Sequence, residues 1–143
     1  MKKQLVTIAA AICLTAGAFQ ETIDLSTVPA NQDEIYLEDG DTVRGDLSCN
    51  DNPLKRVWIE PDATVTLFNV TIHVVENYCS WAGITCRGNA TIIFVGDNQV
   101  VGFCEDYPGI YVPPGCTLTL RGEGSLSASS RGAPGIGSSA DEN

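Results

Sequence analysis

The sequence predicts an all-β chain folded as a parallel β-helix, a solenoid of about four coils of 22–27 residues, open or truncated at its C-terminal end. Three observations predict it. The stretch Gly109 to Leu126, GIYVPPGCTLTLRGEGSL, reads as two short strands with period-2 alternation, bent at Pro113-Pro114-Gly115. The same strand–turn–strand pattern recurs about every two dozen residues, the mark of stacked supersecondary units. Gly83, Gly109 and Gly135 are spaced by 26 residues, and each is followed by isoleucine. A β-sandwich or an antiparallel barrel is the rival fold. It accounts neither for the glycine spacing nor for a repeated threonine.

The chain begins with a processing signal. Lys2 and Lys3 precede an apolar run, Leu5 to Leu14, and an A-x-A site at Ala16-Gly17-Ala18. Residues 1–18 therefore read as a secretory signal peptide of bacterial character, and the run is short for a membrane span. A secreted or cell-surface protein is expected, with no membrane insertion after cleavage. Removal of the signal leaves six basic against 18 acidic residues, a net charge of about −12. Nucleic acid and anionic membranes call for a basic face, and no basic cluster occurs. Divalent cations and neutral polysaccharide are compatible with this balance.

Residues 19–33 are polar and read as a leader that caps the stack, with a strand at Thr22 to Leu25. Residues 34–137 form the repeat domain. Its first copy is Ile35-Tyr36-Leu37, a turn at Glu38-Asp39-Gly40, then Asp41 to Gly45. The second is Val57-Trp58-Ile59, Glu60-Pro61-Asp62, then Ala63 to Leu67. The third is Ile84-Thr85-Cys86, Arg87-Gly88-Asn89, then Ala90 to Phe94. The fourth is the stretch from Gly109, and Ile136 begins a fifth. Aligning the copies puts Thr42, Thr64, Thr91 and Thr117 in one column, and Val43, Val65, Ile92 and Leu118 in the next. A third strand per coil is expected at Thr71 to Val75, Val100 to Phe103 and Ser125 to Ala128. The inward residues are then Ile35, Leu37, Val43, Val57, Ile59, Val65, Leu67, Ile84, Cys86, Ile92, Phe94, Ile110, Val112, Leu118, Leu120 and Ile136. Burial of such large side chains is worth about 1.5 to 3 kcal/mol each. Residues 138–143 are a polar tail, so the last coil presents an edge open to self-association.

The stretches PGIYVPPGCTLTLRGEGSLSASSRGAPGIG and ITCRGNATIIFVGDNQVVGF resemble the β-helical carbohydrate-binding modules of secreted and cell-surface proteins of anaerobic bacteria. The resemblance spans about Val57 to Gly137. It implies a right-handed helix, no catalytic activity, binding of plant or acidic polysaccharide, and calcium in some relatives. Members continue with further glycine-rich coils where this sequence stops.

Candidate sites follow from the strand phase. Tyr36, Trp58 and Tyr111 fall between inward residues and should share one exposed outer face, with Thr85 in the third coil. Trp81 and Tyr107 each precede a repeat glycine by two residues. Together these five rings are the candidate carbohydrate strip, against the plainer reading that they stack on one another. Asp97, Glu105, Asp106 and Glu123 lie near successive corners and are candidate calcium ligands, against solvated acidic loops. The threonine column reads as a hydroxyl array or as plain strand propensity. No G-x-S-x-G motif, His/Cys pair or phosphate loop is present, and Arg87 and Arg121 are the only catalytic candidates in regular coils, so a lyase or hydrolase is the minor alternative. Five cysteines follow the signal. Cys79–Cys104 is the expected disulfide and Cys49–Cys79 its competitor, since corner loops of adjacent coils approach within bridging distance. Cys86 should behave as a buried hydrophobe.

Overall fold

A computed structural model describes residues 20–48, 55–73, 80–103 and 106–138. The described residues contain twelve strands: β1 (Thr22–Asp24), β2 (Glu34–Leu37), β3 (Thr42–Ser48), β4 (Arg56–Ile59), β5 (Ala63–His73), β6 (Ile84–Cys86), β7 (Ala90–Val95), β8 (Asp97–Val101), β9 (Ile110–Tyr111), β10 (Leu118–Gly122), β11 (Ser125–Ser129) and β12 (Ile136–Gly137). Every pairing is parallel. One sheet runs β2-β4-β6-β9-β12, called sheet B here. Sheet A runs β1-β3-β5-β7-β10, with β8 and β11 continuing it around a further corner. The result is a β-solenoid of about three turns.

Sheet B keeps the aligned columns. Ile35 pairs with Val57, Tyr36 with Trp58 and Leu37 with Ile59; Trp58 then meets Thr85, Ile59 meets Cys86, and Ile84 meets Ile110. Sheet A departs from the threonine column. Thr42 lies opposite Thr66, not Thr64, and Thr91 opposite Thr119, not Thr117. The corners differ in length: Thr42 comes five positions after Leu37, and Thr66 seven positions after Ile59. The same two-residue excess recurs between Tyr111 and Leu118 relative to Thr85 and Ala90. An even shift leaves the inward and outward faces unchanged, so packing tolerates it. The threonines form two shorter columns, Thr22–Thr42–Thr66 and Thr64–Thr91–Thr119.

The inward ladder is buried from Ile35 through Ile110, with one thinning at Phe94. Phe94 is half-buried because its partner in the next coil is Gly122, which has no side chain to cover it. The third face adds Leu47, Val70, Ile72 and Val100, and Phe103 follows. It also contains Asn98, only 3% exposed. Its Oδ1 accepts from Val70 N at 3.0 Å, and its Nδ2 donates to Val95 O and Ser125 O, both at 3.1 Å. One amide thus ties three successive coils, which is how a buried polar group is tolerated.

The two ends differ. At the N-terminal edge β1 pairs with β3, a 3-10 turn (Leu25–Thr27) buries Leu25, and Arg44 binds Asp24 at 3.1 Å. Lys55 donates to Gln32 O at 3.0 Å and to Pro29 O, latching the connection to β2. Asp41 is fully buried and accepts from Glu21 N at 3.1 Å and Glu38 N at 2.7 Å. At the other edge Leu120 is 41% and Ile136 38% exposed.

The 26-residue glycine spacing has a steric cause. A Cβ on Gly109 would stand 2.8 Å from Val100 O and 2.9 Å from both Gly135 O and Ser129 N. Here the third face closes onto sheet B, and backbone packs on backbone. Gly109→Ala is expected to destabilise by on the order of 2 kcal/mol or more. Gly115 has φ +80° but open space around it, so Gly115→Ala should cost only about 1 kcal/mol. Thermal melts of the two variants check the ranking. Asn98→Leu, which strands Val70 N and two carbonyls in the core, should lower the denaturant midpoint by the equivalent of about 2 to 4 kcal/mol.

Candidate functional site

The outer face of sheet B follows from alternation. Residues between two inward positions must point out, and residues two apart on a strand share that face. This places Glu34 and Tyr36 on β2, Arg56, Trp58 and then Glu60 on β4, and Thr85 and then Arg87 on β6. Neighbouring strands lie about 4.8 Å apart, which is too close for two large rings to lie flat side by side. Tyr36 and Trp58 stack instead, with centroids 6.3 Å apart and planes 5° from parallel. The guanidinium of Arg56 sits 3.7 Å from the Trp58 centroid and 6.0 Å from that of Trp81. Arg87 lies 5.9 Å from the Tyr36 ring and 5.7 Å from the Trp58 ring, and binds Glu60 at 2.9 Å. Cations over ring faces at these distances are attracted by the ring quadrupole.

The Tyr36 hydroxyl donates to Glu34 Oε2 at 2.5 Å. That bond, reinforced by desolvation and the carboxylate's charge, holds the phenol above its ordinary ionisation range; Arg87 opposes it. Ring edges, guanidinium N–H groups and carboxylates therefore alternate across a small area. Such a surface can hydrogen-bond hydroxyl groups and pack against apolar ring faces.

The five candidate rings do not form one exposed strip. Tyr111 occupies the outer column opposite Thr85 but is 6% exposed, against the expectation of an accessible platform. Thr85 beside it is also buried. Trp81 joins the cluster through Arg56 and meets Phe103 edge-on, with centroids 6.2 Å apart at 67°. Tyr107 is half-buried and makes no ring contact with the other four among the described residues. Arg56 and Glu34 are the residues that reading for aromatics alone passes over. Their signal was the spacing of two residues from Trp58 and Tyr36.

The candidate calcium ligands do not come together among the described residues. Asp97 accepts from the Ser125 hydroxyl at 2.8 Å, while Asp106 and Glu123 are exposed. No group of three metal-ligating side chains comes together among the described residues, and Glu105 lies outside them. Asp97 and Glu123 flank the equivalent corners between β7 and β8 and between β10 and β11, whereas Asp106 precedes β9. Cys49, Cys79 and Cys104, and with them the expected bridge and its competitor, also lie outside the described residues. Cys86 and Cys116 are free thiols. Among the described residues no helix is long and apolar enough to cross a membrane.

Burial, with a smaller contribution from Cys116, pushes the Cys86 thiol from 9.0 up to about 12. A folded value above the unfolded one contributes stability that is present below pH 9 and lost as pH rises towards 12. The thiolate is the reactive form, so Cys86 should resist alkylation at pH 8 until the chain unfolds, while half-exposed Cys116 labels in the native state. Peptide mapping after native iodoacetamide treatment checks this; equal labelling of the two would refute it. Comparison with protein-family models, with curated proteins and with solved structures finds no match for this chain.

Proposed function

We propose that this protein is an exported, non-catalytic module that binds polysaccharide at the bacterial cell surface or outside the cell. The observation that supports it is the ladder of Tyr36, Trp58, Arg56 and Arg87 on the outer face of sheet B. Two of the chain's eight basic residues converge there, on two of its few large aromatics, in a protein of net charge −10. Ring surfaces accept the apolar face of a pyranose, and the flanking Glu34, Glu60 and guanidinium groups bond its hydroxyls. The secretory signal and the resemblance to carbohydrate-binding β-helices point the same way.

Retention of the purified protein on immobilised cellulose, pectin and mucin tests this reading. Retention on at least one is expected, and Trp58→Ala should weaken it about tenfold, as loss of one stacking ring typically does. A protein that passes freely through all three, with and without calcium, would not be a glycan-binding module.

A second reading has its own support. Leu120 is 41% exposed, whereas its partner Ile92 in the preceding coil is fully buried. An apolar coil edge of this kind suits a structural role, stacking on further coils or on partner chains. Light scattering across a concentration series decides it: growth of mass with concentration is expected, and Leu120→Glu should abolish it. A monomer at every concentration sinks this reading.

A further inference from the structure

β10, β11 and β12 have a strand on one side only among the described residues. Their inward residues are Leu118 and Leu120, Leu126 and Ala128, and Ile136, and each pairs with a buried residue of the coil before. The backbone can be followed in the same way. Thr117, Ser129, Gly135 and Gly137 accept through their carbonyls from Ala90 N, Gly102 N, Ile110 N and Val112 N, and Ser125 N donates to Gly96 O. All of these bonds run back to the preceding coil. Backbone groups alternate in direction along a strand, so the residues between aim their N–H and C=O at the open edge. Those residues are Leu118, Leu120, Leu126, Ala128 and Ile136. Apolar side chains and outward backbone groups therefore coincide, and Leu120 and Ile136 are 41% and 38% exposed.

What covers such an edge is constrained. The other end of the stack does not match it. Leu25, Ile35 and Leu37 there are at most 2% exposed, so no apolar ledge is offered, and Glu21, Asp24, Asp33 and Glu34 surround them in the chain. A second C-terminal edge does match. From Tyr107 onward Arg121 and Arg131 stand against Glu123, Asp141 and Glu142, a net −1 (2 − 3) in a chain of net −10. This end is the part of the chain that two acidic copies can bring together with least repulsion.

We propose that the C-terminal edge docks on the same edge of a second copy, with the two β10 strands antiparallel about a two-fold axis. It deepens the assembly reading, and rests on it, by naming the partner and the strand that meets it. Centring the axis on Thr119 sets Leu118 opposite the partner's Leu120, so each leucine of β10 covers a leucine. Centring it on Leu120 would instead set Leu118 against a glycine, Gly122. In the first register the leucines exchange N–H···O bonds across the axis. Thr119, whose backbone faces β7 as Thr117 does, takes the position without such bonds, where Cα atoms lie about 4.5 Å apart. A two-fold contact closes at two copies, which a head-to-tail stack does not.

Light scattering on the chain purified after export tests the closure. Mass should rise with concentration to that of two chains and stop there. Thr119→Cys in a Cys116→Ser background tests the register. With oxidised glutathione, peptide mapping should find position 119 of one chain bridged to position 119 of another, since about 4.5 Å is within disulfide reach. Thr119 is exposed, so the substitution leaves the core intact. Growth past two chains overturns the two-fold contact and leaves the wider assembly reading standing. A doubled mass without the bridge at position 119 overturns the β10 pairing. A monomer at every concentration overturns both.

Discussion

The stack depends on how each coil satisfies the backbone of the next at its corners. Along the flat faces the parallel ladder does this unaided. At a corner the chain turns away, and amides there need another acceptor. Short side chains supply it across the coil boundary. Asp39 accepts from Thr64 N at 2.8 Å, Asn89 from Thr117 N at 2.9 Å, and Asn69 from Asp97 N at 3.0 Å. At the capped end Ser26 does the same for Asp46 N at 2.9 Å. These bonds are vertical, so each fixes the height and rotation of one coil on its neighbour. The corner residues that read in the sequence as mere turn formers are also the rivets of the stack. Asn69 takes a positive φ of 50°, a region asparagine tolerates better than most residues, and this frees its side chain to reach up.

The aromatic ladder is a consequence of the same vertical register. Once Tyr36 and Trp58 are paired across adjacent strands, the coil rise decides that their faces meet. A stacked pair leaves its outermost faces and its edges for other partners, and arginines take several of these positions. What survives for a ligand is a set of edges and charged groups. That is a more selective surface than a flat aromatic shelf, because hydrogen-bond geometry must be met along with ring contact.

The sheet-B columns were legible because the repeat there has fixed length and its apolar residues alternate without interruption. Sheet A was legible in its facing but not in its register. A period of two cannot distinguish Thr42 over Thr64 from Thr42 over Thr66, since both keep Val43 inward. The third face was read least well for a related reason. Its interior includes Asn98, a residue whose type suggests a surface position, and glycine breaks at Gly96 and Gly102 hide the alternation. The burial of Tyr111 and Thr85 was not legible at all. Strand phase gives the side of the sheet on which a residue lies, but not what covers it.

Coverage also separates the two ends of the stack. An inward residue in a solenoid owes about half of its burial to the coil above and half to the coil below. Ile92 has both neighbours, Val65 and Leu120, and is sealed; Leu120 pairs with Ile92 on one side and remains open on the other. The N-terminal edge solves this with a strand, a tight turn and one buried leucine, Leu25. The same inward chemistry therefore yields a closed core in the first coils and a partly wet apolar ledge in the last. Because stability in such stacks is a sum of coil and interface terms, β10 and β11 hold only one of the two interfaces that β5 and β7 enjoy. In sheet B, Trp58 and Arg56 sit on β4, which is paired on both sides, whereas Tyr36 sits on β2, the edge strand, and its ring is held from one side by Trp58.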